Sequence, residues 1–286
     1  MAIEYRQPTA EDVHDLGRVC YEAFKDIAER HGFEPDFPDP DMARMIIGML
    51  VASEDTYGVA AYNDDRPSGS NFVMMADDVG GIGPITVDVA KQGAGIGRQL
   101  MTDAIDHAKG NGLDKIRLQQ DSFNMASLSL YASVGFDTKA PCALMEPIPA
   151  IKEDPTVRLL TEDDLTTVDA LSRDQYKVSR RNEVAEMLKG PFTAVVRELD
   201  NRVTGYYVLG ITGHGVAETE DDALALVGQA AAKSPPQFRD VFCPLIEGSL
   251  YRKFLGAGFR AKKVMNLMAI GPYEEPEGVW MPSVIY

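Results

Sequence analysis

Cysteine is scarce and sits in no pairing pattern: Cys20, Cys142 and Cys243 lie far apart, and no Cys-x-x-Cys occurs. That excludes a disulfide framework and a zinc knuckle, and suits a reduced, cytoplasmic chain. The four histidines, His14, His31, His107 and His214, share no metal-ligand spacing, so no metal centre is expected. Long apolar runs are missing too. The longest, MIIGMLVA at 45–52, falls far short of the roughly 20 residues that cross a bilayer. The opening MAIEYRQPTAED lacks the charged-then-apolar order of a secretory leader. Positive charge is in deficit, with 28 Lys and Arg against 44 Asp and Glu and a formal net charge of −16. An excess of that sign repels phosphate backbones and anionic lipid, so neither nucleic acid nor membrane is expected as a partner, while a cationic amine is drawn in.

Within those exclusions, 286 residues with 45% apolar and 25% charged side chains have room for two modest cores. Two echoes support such a division. YRQPTAEDV aligns with VRLLTEDDL, matching Arg6, Thr9, Asp12 and Val13 to Arg158, Thr161, Asp164 and Leu165. Each reads as strand, N-cap and helix, with Thr at the cap and Asp three positions on. LYASVGF, ending at Gly135 and Phe136, is answered by KFLGAGF, ending at Gly258 and Phe259. The same order of both echoes predicts a duplicated domain. The proline-rich EPIPAIKEDP at 146–155 is the natural linker, giving domains at 1–147 and 156–286.

Apolar periodicity predicts helices through Val13–Ile27 and DMARMIIGMLVAS, then strands TYGVAAYN, NFVMMAD and GPITVDV separated by turn-like DDRPSGS and DVGG. A helix over 96–109, strand KIRLQQD and a helix over 127–133 follow. The second half repeats the plan, with helices near 162–172, 182–189, 221–233 and 248–256. Its strands are FTAVVREL, VTGYYVLG, DVFCPL and KKVMNLMAI.

One junction carries the chemistry. VDVAKQGAGIGRQLM, Val87 to Met101, places three glycines between a strand and a helix, where successive amides and the helix dipole face one point and suit an anion. A Walker loop is excluded because no Gly-Lys-Ser/Thr follows, and a dinucleotide fingerprint fails at Arg98, where its third glycine belongs. Gln92, Gly95 and Gly97 fit Gln-x-x-Gly-x-Gly instead. About thirty residues on, NMASLSLYASVGF carries Asn124, Leu130, Tyr131, Gly135 and Phe136. With both motifs in this order, the sequence resembles the GNAT superfamily of acyl-CoA-dependent N-acetyltransferases, well over 3–147 and as a degenerate domain over 156–286. Ser127 departs from the small residue, often alanine, usual at its place.

The resemblance implies an α/β fold with two GNAT-like domains, each a mixed, mostly antiparallel sheet flanked by helices. It implies acetyl-CoA as cosubstrate and transfer of acetyl to a small-molecule amine acceptor. Val87 would offer its amide to the thioester oxygen, and Val89 would pair with the pantetheine arm. Gln92, Gly93, Ala94, Gly95, Ile96 and Gly97, with Arg98, would hold the pyrophosphate; Asn124 would bind the pantetheine or the nearby loop, and Ser127 would contact the coenzyme. Tyr131 would protonate the departing thiolate. For the base, Asp88 on the strand, Asp121 after RLQQ, the upstream Asp77 and Asp78, His31 and a water relay all stay open, and His31 is equally a candidate acceptor contact. In the second half Phe254 stands in Tyr131's place and Glu247 in Asn124's, and ETEDDALALVGQAAAK puts acids where phosphates would sit, so coenzyme binding is not expected there. That half is expected to shape the acceptor pocket or an interface, a homodimer being one arrangement open to it. A coenzyme-binding sensor without turnover is the rival class.

Overall fold

A computed structural model describes residues 3–190, 192–210, 213–246 and 248–286. Glu247, matched by sequence to Asn124, lies outside the described residues. The first half runs β1 (Glu4–Arg6), α1 (Val13–Arg30), α2 (Pro40–Ala52), β2 (Thr56–Asn63), β3 (Arg66–Met74), β4 (Gly80–Ile82), β5 (Thr86–Val87), α3 (Ile96–Gly110), β6 (Ile116–Asp121), α4 (Met125–Ser133) and β7 (Asp137–Glu146). After it come β8 (Val157–Leu159), α5 (Leu165–Gln175), α6 (Arg181–Lys189), β9 (Ala194–Leu199), β10 (Arg202–Val208), β11 (His214–Ala217) and α7 (Glu220–Ala232), then β12 (Val241–Pro244), α8 (Ser249–Gly256), β13 (Arg260–Ile270) and β14 (Val279–Met281).

The contacts sort the chain into two compact units. One holds the residues up to Leu118, Ser122–Asp137 and Ala269–Gly271; the other holds Gln119–Asp121, Thr138–Met268 and Pro272–Tyr286. In the first unit β1, β2, β3 and β4 pair antiparallel in order, and β4 pairs parallel with β6 at Gly80↔Ile116 and Gly81↔Arg117. Alternation along β2 explains why TYGVAAYN is apolar throughout. Ala60 and Tyr62 join Leu16, Cys20 and Ile47 of α1 and α2 on one face, and Val59 and Ala61 join Ile96 and Leu100 of α3 on the other.

In the second unit the order β14-β11-β10-β9-β8 forms an antiparallel sheet. β7 pairs with β12 from Met145↔Val241 to Cys142↔Pro244, and its Ala143 and Met145 share a core with Tyr207, Leu226 and Phe254. The division between the two units falls at Asp137, ahead of the 146–155 stretch.

Both echoes are also structural. Thr9 and Thr161 each open a capping box closed by Asp12 and Asp164, and each is followed by a 3-10 turn and then a helix. Gly135 and Gly258 take φ +107° and +91°, while Phe136 N and Phe259 N donate to Tyr131 O and Phe254 O at 3.0 Å in both cases. Each half also has a hairpin turned by two left-handed residues, Asp64–Asp65 (φ 51°, 61°) and Asp200–Asn201 (φ 52°, 60°), the geometry of a tight primed turn.

Three segments of the first half depart from the sequence reading. DDRPSGS supplies the start of β3, DVGG supplies the start of β4, and GPITVDV breaks into β5 and a 3-10 turn, Val89–Lys91. The tail EGVWMPSVIY adds β14 as a partner of β11 and buries Trp280 and Tyr286.

Arg158 Nη1 and Nη2 reach the two Asp164 oxygens at 2.8 and 2.9 Å, and Thr161 N donates to Asp164 at 2.9 Å. The hydrogen bonds from Arg158, with those from Thr161, hold this carboxyl below the ordinary carboxylate range against the opposing effect of burial. A depressed folded value stabilises above the unfolded value of about 3.9 and is lost as pH falls through the folded one. Asp164→Asn is expected to lower Tm at pH 7 and to flatten the fall of Tm below about pH 4, as followed by circular dichroism.

Candidate active site

The site begins with a close approach of two backbones. Gly69 of β3 lies opposite Val87 of β5, and a Cβ on Gly69 would stand 2.5 Å from Thr86 O and 3.2 Å from Val87 Cα. Only glycine seats β5 at this distance. Asp88 N–H donates to Ser68 O at 2.8 Å, which sets the phase of the pair. Alternate residues of an antiparallel pair turn their amide and carbonyl toward the neighbour, so those of Val87 face away from β3. Gln92 Nε2 donates to Val87 O at 3.2 Å from that outer side. β5 has β3 as its partner, and no ladder joins β5 to β6 among the described residues, although β4 and β6 are paired. The Val87 amide is thus turned into a fork between β5 and β6.

Beyond the fork the chain makes an exposed loop, Gln92–Gly95, ahead of α3. Gly93 and Gly95 adopt φ +80° and +86°, and a Cβ at either would meet nothing within 4 Å, so they are needed for backbone conformation. Gly97 has another role: its Cβ would sit 3.3 Å from Leu130 Cδ2 and 3.8 Å from Val87 Cγ2, so it permits close packing of α3 on α4. Gly95 caps α3 without a side chain, and the first turn holds no acid, which leaves its leading amides available to an anion. Ala94 is exposed on the loop, whereas Ile96 is buried in the core and offers only its backbone. Arg98 Nη2 donates to Ser133 Oγ at 2.9 Å and ties the loop's helix to α4.

α4 starts at Asn124, whose Oδ1 accepts from Ser127 N at 3.1 Å, while Ser127 Oγ donates to Asn124 O at 3.0 Å. Tyr131 is 8% exposed, with its ring 6.2 Å from that of Phe136. Val87, Gln92, Gly97 and Arg98 are therefore brought together with the Leu130–Ser133 turn of α4 that bears Tyr131.

The remaining candidates fare differently. Strand geometry ends at Val87, so Val89 starts the 3-10 turn with its side chain exposed and does not extend the ladder. Asp88 Oδ1 accepts from Ala90 N at 3.0 Å, capping that turn, and Lys91 Nζ donates to Ser68 Oγ at 2.6 Å, fastening it to β3. Asp121 is engaged by Lys263 at 2.7 Å, both side chains under a tenth exposed, which disfavours it as a proton acceptor. His31 closes α1, and its Nδ1 lies 2.8 Å from Ile27 O. A carbonyl only accepts, so Nδ1 carries the hydrogen, and in the neutral ring Nε2 bears the lone pair. The His31 ring rests 5.2 Å from that of Phe123, the residue before Asn124.

In the second half, the α7 N-terminus is closed. Thr219 and Asp222 form a capping box, Glu220, Asp221 and Asp222 fill the first turn, and Asp222 also accepts from Arg197 and Thr204. Phe254 is fully buried against Phe259. Among the described residues no group of three or more His, Cys, Asp or Glu could hold a metal ion, and no helix is long and apolar enough to cross a membrane.

Sequence reasoning missed Gly69, Ser68 and Lys91, which seat β5, and Phe123. A glycine flanked by serines, in Pro67–Ser70, was the available signal for a buried strand with a backbone crossing close above it. Phe123 carried none.

The model of the acetyltransferase (GNAT) family matches residues 11–136. A mycothiol acetyltransferase of Kocuria rhizophila is 37% identical over 113 residues, covering 34% of this chain and 37% of that protein. One from Nocardiopsis dassonvillei is 31% identical over 102 residues, covering 35% and 29%. The matches thus span about a third of the length of these relatives. A Pyrococcus horikoshii protein of known structure superposes with a TM-score of 0.78 at 17% identity over 97% of this chain and 92% of its own. A GCN5-related N-acetyltransferase from Sphaerobacter thermophilus does so with a TM-score of 0.63 at 16% identity over 97% and 98%. At such identities these two establish the fold, α/β with two GNAT-like domains.

Proposed function

We propose that this chain, whose residues 11–136 belong to the acetyltransferase (GNAT) family, moves an acetyl group from acetyl-CoA to a primary amine of a small acceptor. The observation that carries the reading is the outward-turned amide of Val87, standing in a fork one loop away from the uncapped start of α3. The loop amides from Gly93 to Gly97, with Arg98 beside them, bind the diphosphate. The Val87 N–H stabilises charge developing on the thioester oxygen. The amine nitrogen attacks the carbonyl carbon, the C–N bond forms and the C–S bond breaks. Tyr131 gives its proton to the departing thiolate, and the proton lost by the amine is taken up by a base. His31 is favoured over Asp88 and Asp121, since Nε2 keeps its lone pair while the two carboxylates serve a turn and an ion pair.

The net charge of −16 supports a cationic acceptor, and the mycothiol acetyltransferases among the relatives support a small one. We take residues 156–286 as a diverged copy, supported by the matching capping boxes, hairpin turns and Gly-Phe turns. The closed α7 N-terminus supports coenzyme binding in the first copy alone. Three buried free thiols fit a reducing cytoplasm.

The test is titration calorimetry with acetyl-CoA together with thiol release over a panel of amines. Binding and amine-dependent release are expected. Binding with no release above hydrolysis would instead identify a coenzyme sensor. Gly95→Ala forces an L residue into the left-handed region at a cost of about 1–2 kcal/mol, so acetyl-CoA affinity is expected to fall about tenfold.

A further inference from the structure

The open face of the fork has a brace of which the reaction above uses only His31. α1 packs on β5 and on the Val89–Lys91 turn, so its body lies along the Val87 side. Where α1 ends, the chain does not leave the site. His31 N, Gly32 N and Phe33 N donate back to Ala28 O, Glu29 O and Ala28 O at 3.0, 3.2 and 3.0 Å, folding the segment over the helix end. That fold brings two rings onto Phe123, which follows β6 and precedes the α4 cap Asn124. Phe33 stacks on Phe123 with centroids 4.4 Å apart and planes 14° from parallel, and His31 lies 5.2 Å away at 33°. One helix and three rings thus connect the two prongs of the fork, from Val87 to the exit of β6.

We infer that Phe123 is a positioning residue: by stacking on Phe33 and His31 it clasps the end of α1 to the β6–α4 turn and fixes the wall against which the acceptor amine is presented. The observations separate this from ordinary core packing. All three rings are partly or fully exposed, none belongs to the clusters formed by α1, α2, β2 and α3, and each lies outside the helices and strands. The Nδ1 hydrogen bond of His31 to Ile27 O lies outside the stack and sets the direction of Nε2 without it. The coenzyme loop Gln92–Gly97 takes no part in the clasp. Loss of the clasp should therefore act on the acceptor and spare the coenzyme.

The inference rests on the transferase reading for its acceptor role, and two measurements keep the two apart. Phe123→Leu keeps an apolar side chain and removes the stack; Phe33→Leu removes it from the other side. Each is expected to raise the acceptor KM about three- to tenfold, the range of one aromatic pair, with kcat and the acetyl-CoA Kd held within about twofold. The double variant is expected to do little more than either single one, and Phe123→Tyr is expected to restore the KM. Amide exchange at positions 32 and 33 is expected to quicken by the same factor in both leucine variants. An unchanged acceptor KM in an active enzyme, or a coenzyme Kd that weakens in step with it, overturns the positioning role. Unchanged exchange overturns the clasp itself. A wild-type protein that acetylates no amine overturns the transferase reading and with it the acceptor role, while exchange still decides whether the rings hold the segment.

Discussion

Tyr131→Phe is expected to cut amine-dependent turnover by about 10²- to 10⁴-fold, the range lost with a general acid, while the acetyl-CoA Kd moves less than about twofold. The ring is the structural part of this residue: it is 8% exposed, it sits beside Phe136, and its carbonyl anchors the Phe136 amide. Phenylalanine preserves all of that and removes only the hydroxyl group. The defect should then depend on the leaving group. An acetyl thioester of a more acidic thiol needs no proton as its C–S bond breaks, so the wild-type and variant rates should converge with that donor. A uniform defect across donors, or none at all, would make Tyr131 a packing residue and leave thiolate protonation to solvent.

How far the sequence reached can be traced through such residues. The Gln92–Gly97 loop and the Asn124-to-Phe136 stretch were legible because both are local: each motif lies within one turn or one helix, and its residue types follow from backbone conformation at positions such as Gly93, Gly95 and Gly135. The capping boxes at Thr9 and Thr161 were legible for the same reason. What escaped was set by partners distant in sequence. Gly69 reads as a turn residue until Val87 is laid across it, and β3 consequently seemed to start five residues late. Asp121 looked like an available base until Lys263 came beside it. β7 ends the first half in sequence and pairs in space with β12, more than ninety residues on. Val89 shows a local failure: Asp88 prefers to cap a 3-10 turn, and that single side-chain hydrogen bond ends the strand before Val89 is reached.

The second large effect belongs to a residue with no side chain. Gly69→Ala is expected to cut amine-dependent turnover about a hundredfold, as a displacement of about 1 Å at a reacting group does. The added Cβ would lie 2.5 Å from Thr86 O, a separation that real Cβ atoms do not adopt, and both nearest atoms, Thr86 O and Val87 Cα, are backbone. Neither can rotate away, so β5 itself must shift. Its shift takes along the Asp88-to-Ser68 bond, the Lys91-to-Ser68 tether and the Gln92 contact to Val87 O, and the Val87 amide is aimed elsewhere. Overpacking of this kind costs about 1–3 kcal/mol, or about 2–12 °C in Tm for a domain of this size. Gly80→Ala is the matched control. Gly80 lies in the same sheet on β4, but its Cβ would find Val73 Cγ2, Ala108 Cβ and Ile116 Cγ1 at 3.4, 3.6 and 3.7 Å, ordinary contacts with side chains. That variant should keep its Tm within about 2 °C and its amine-dependent turnover within about twofold. Turnover and melting of the pair decide the matter: equal behaviour of the two alanines would mean that the distance between β3 and β5 does not set the aim of Val87, and the oxyanion role assigned to its amide would fall with it.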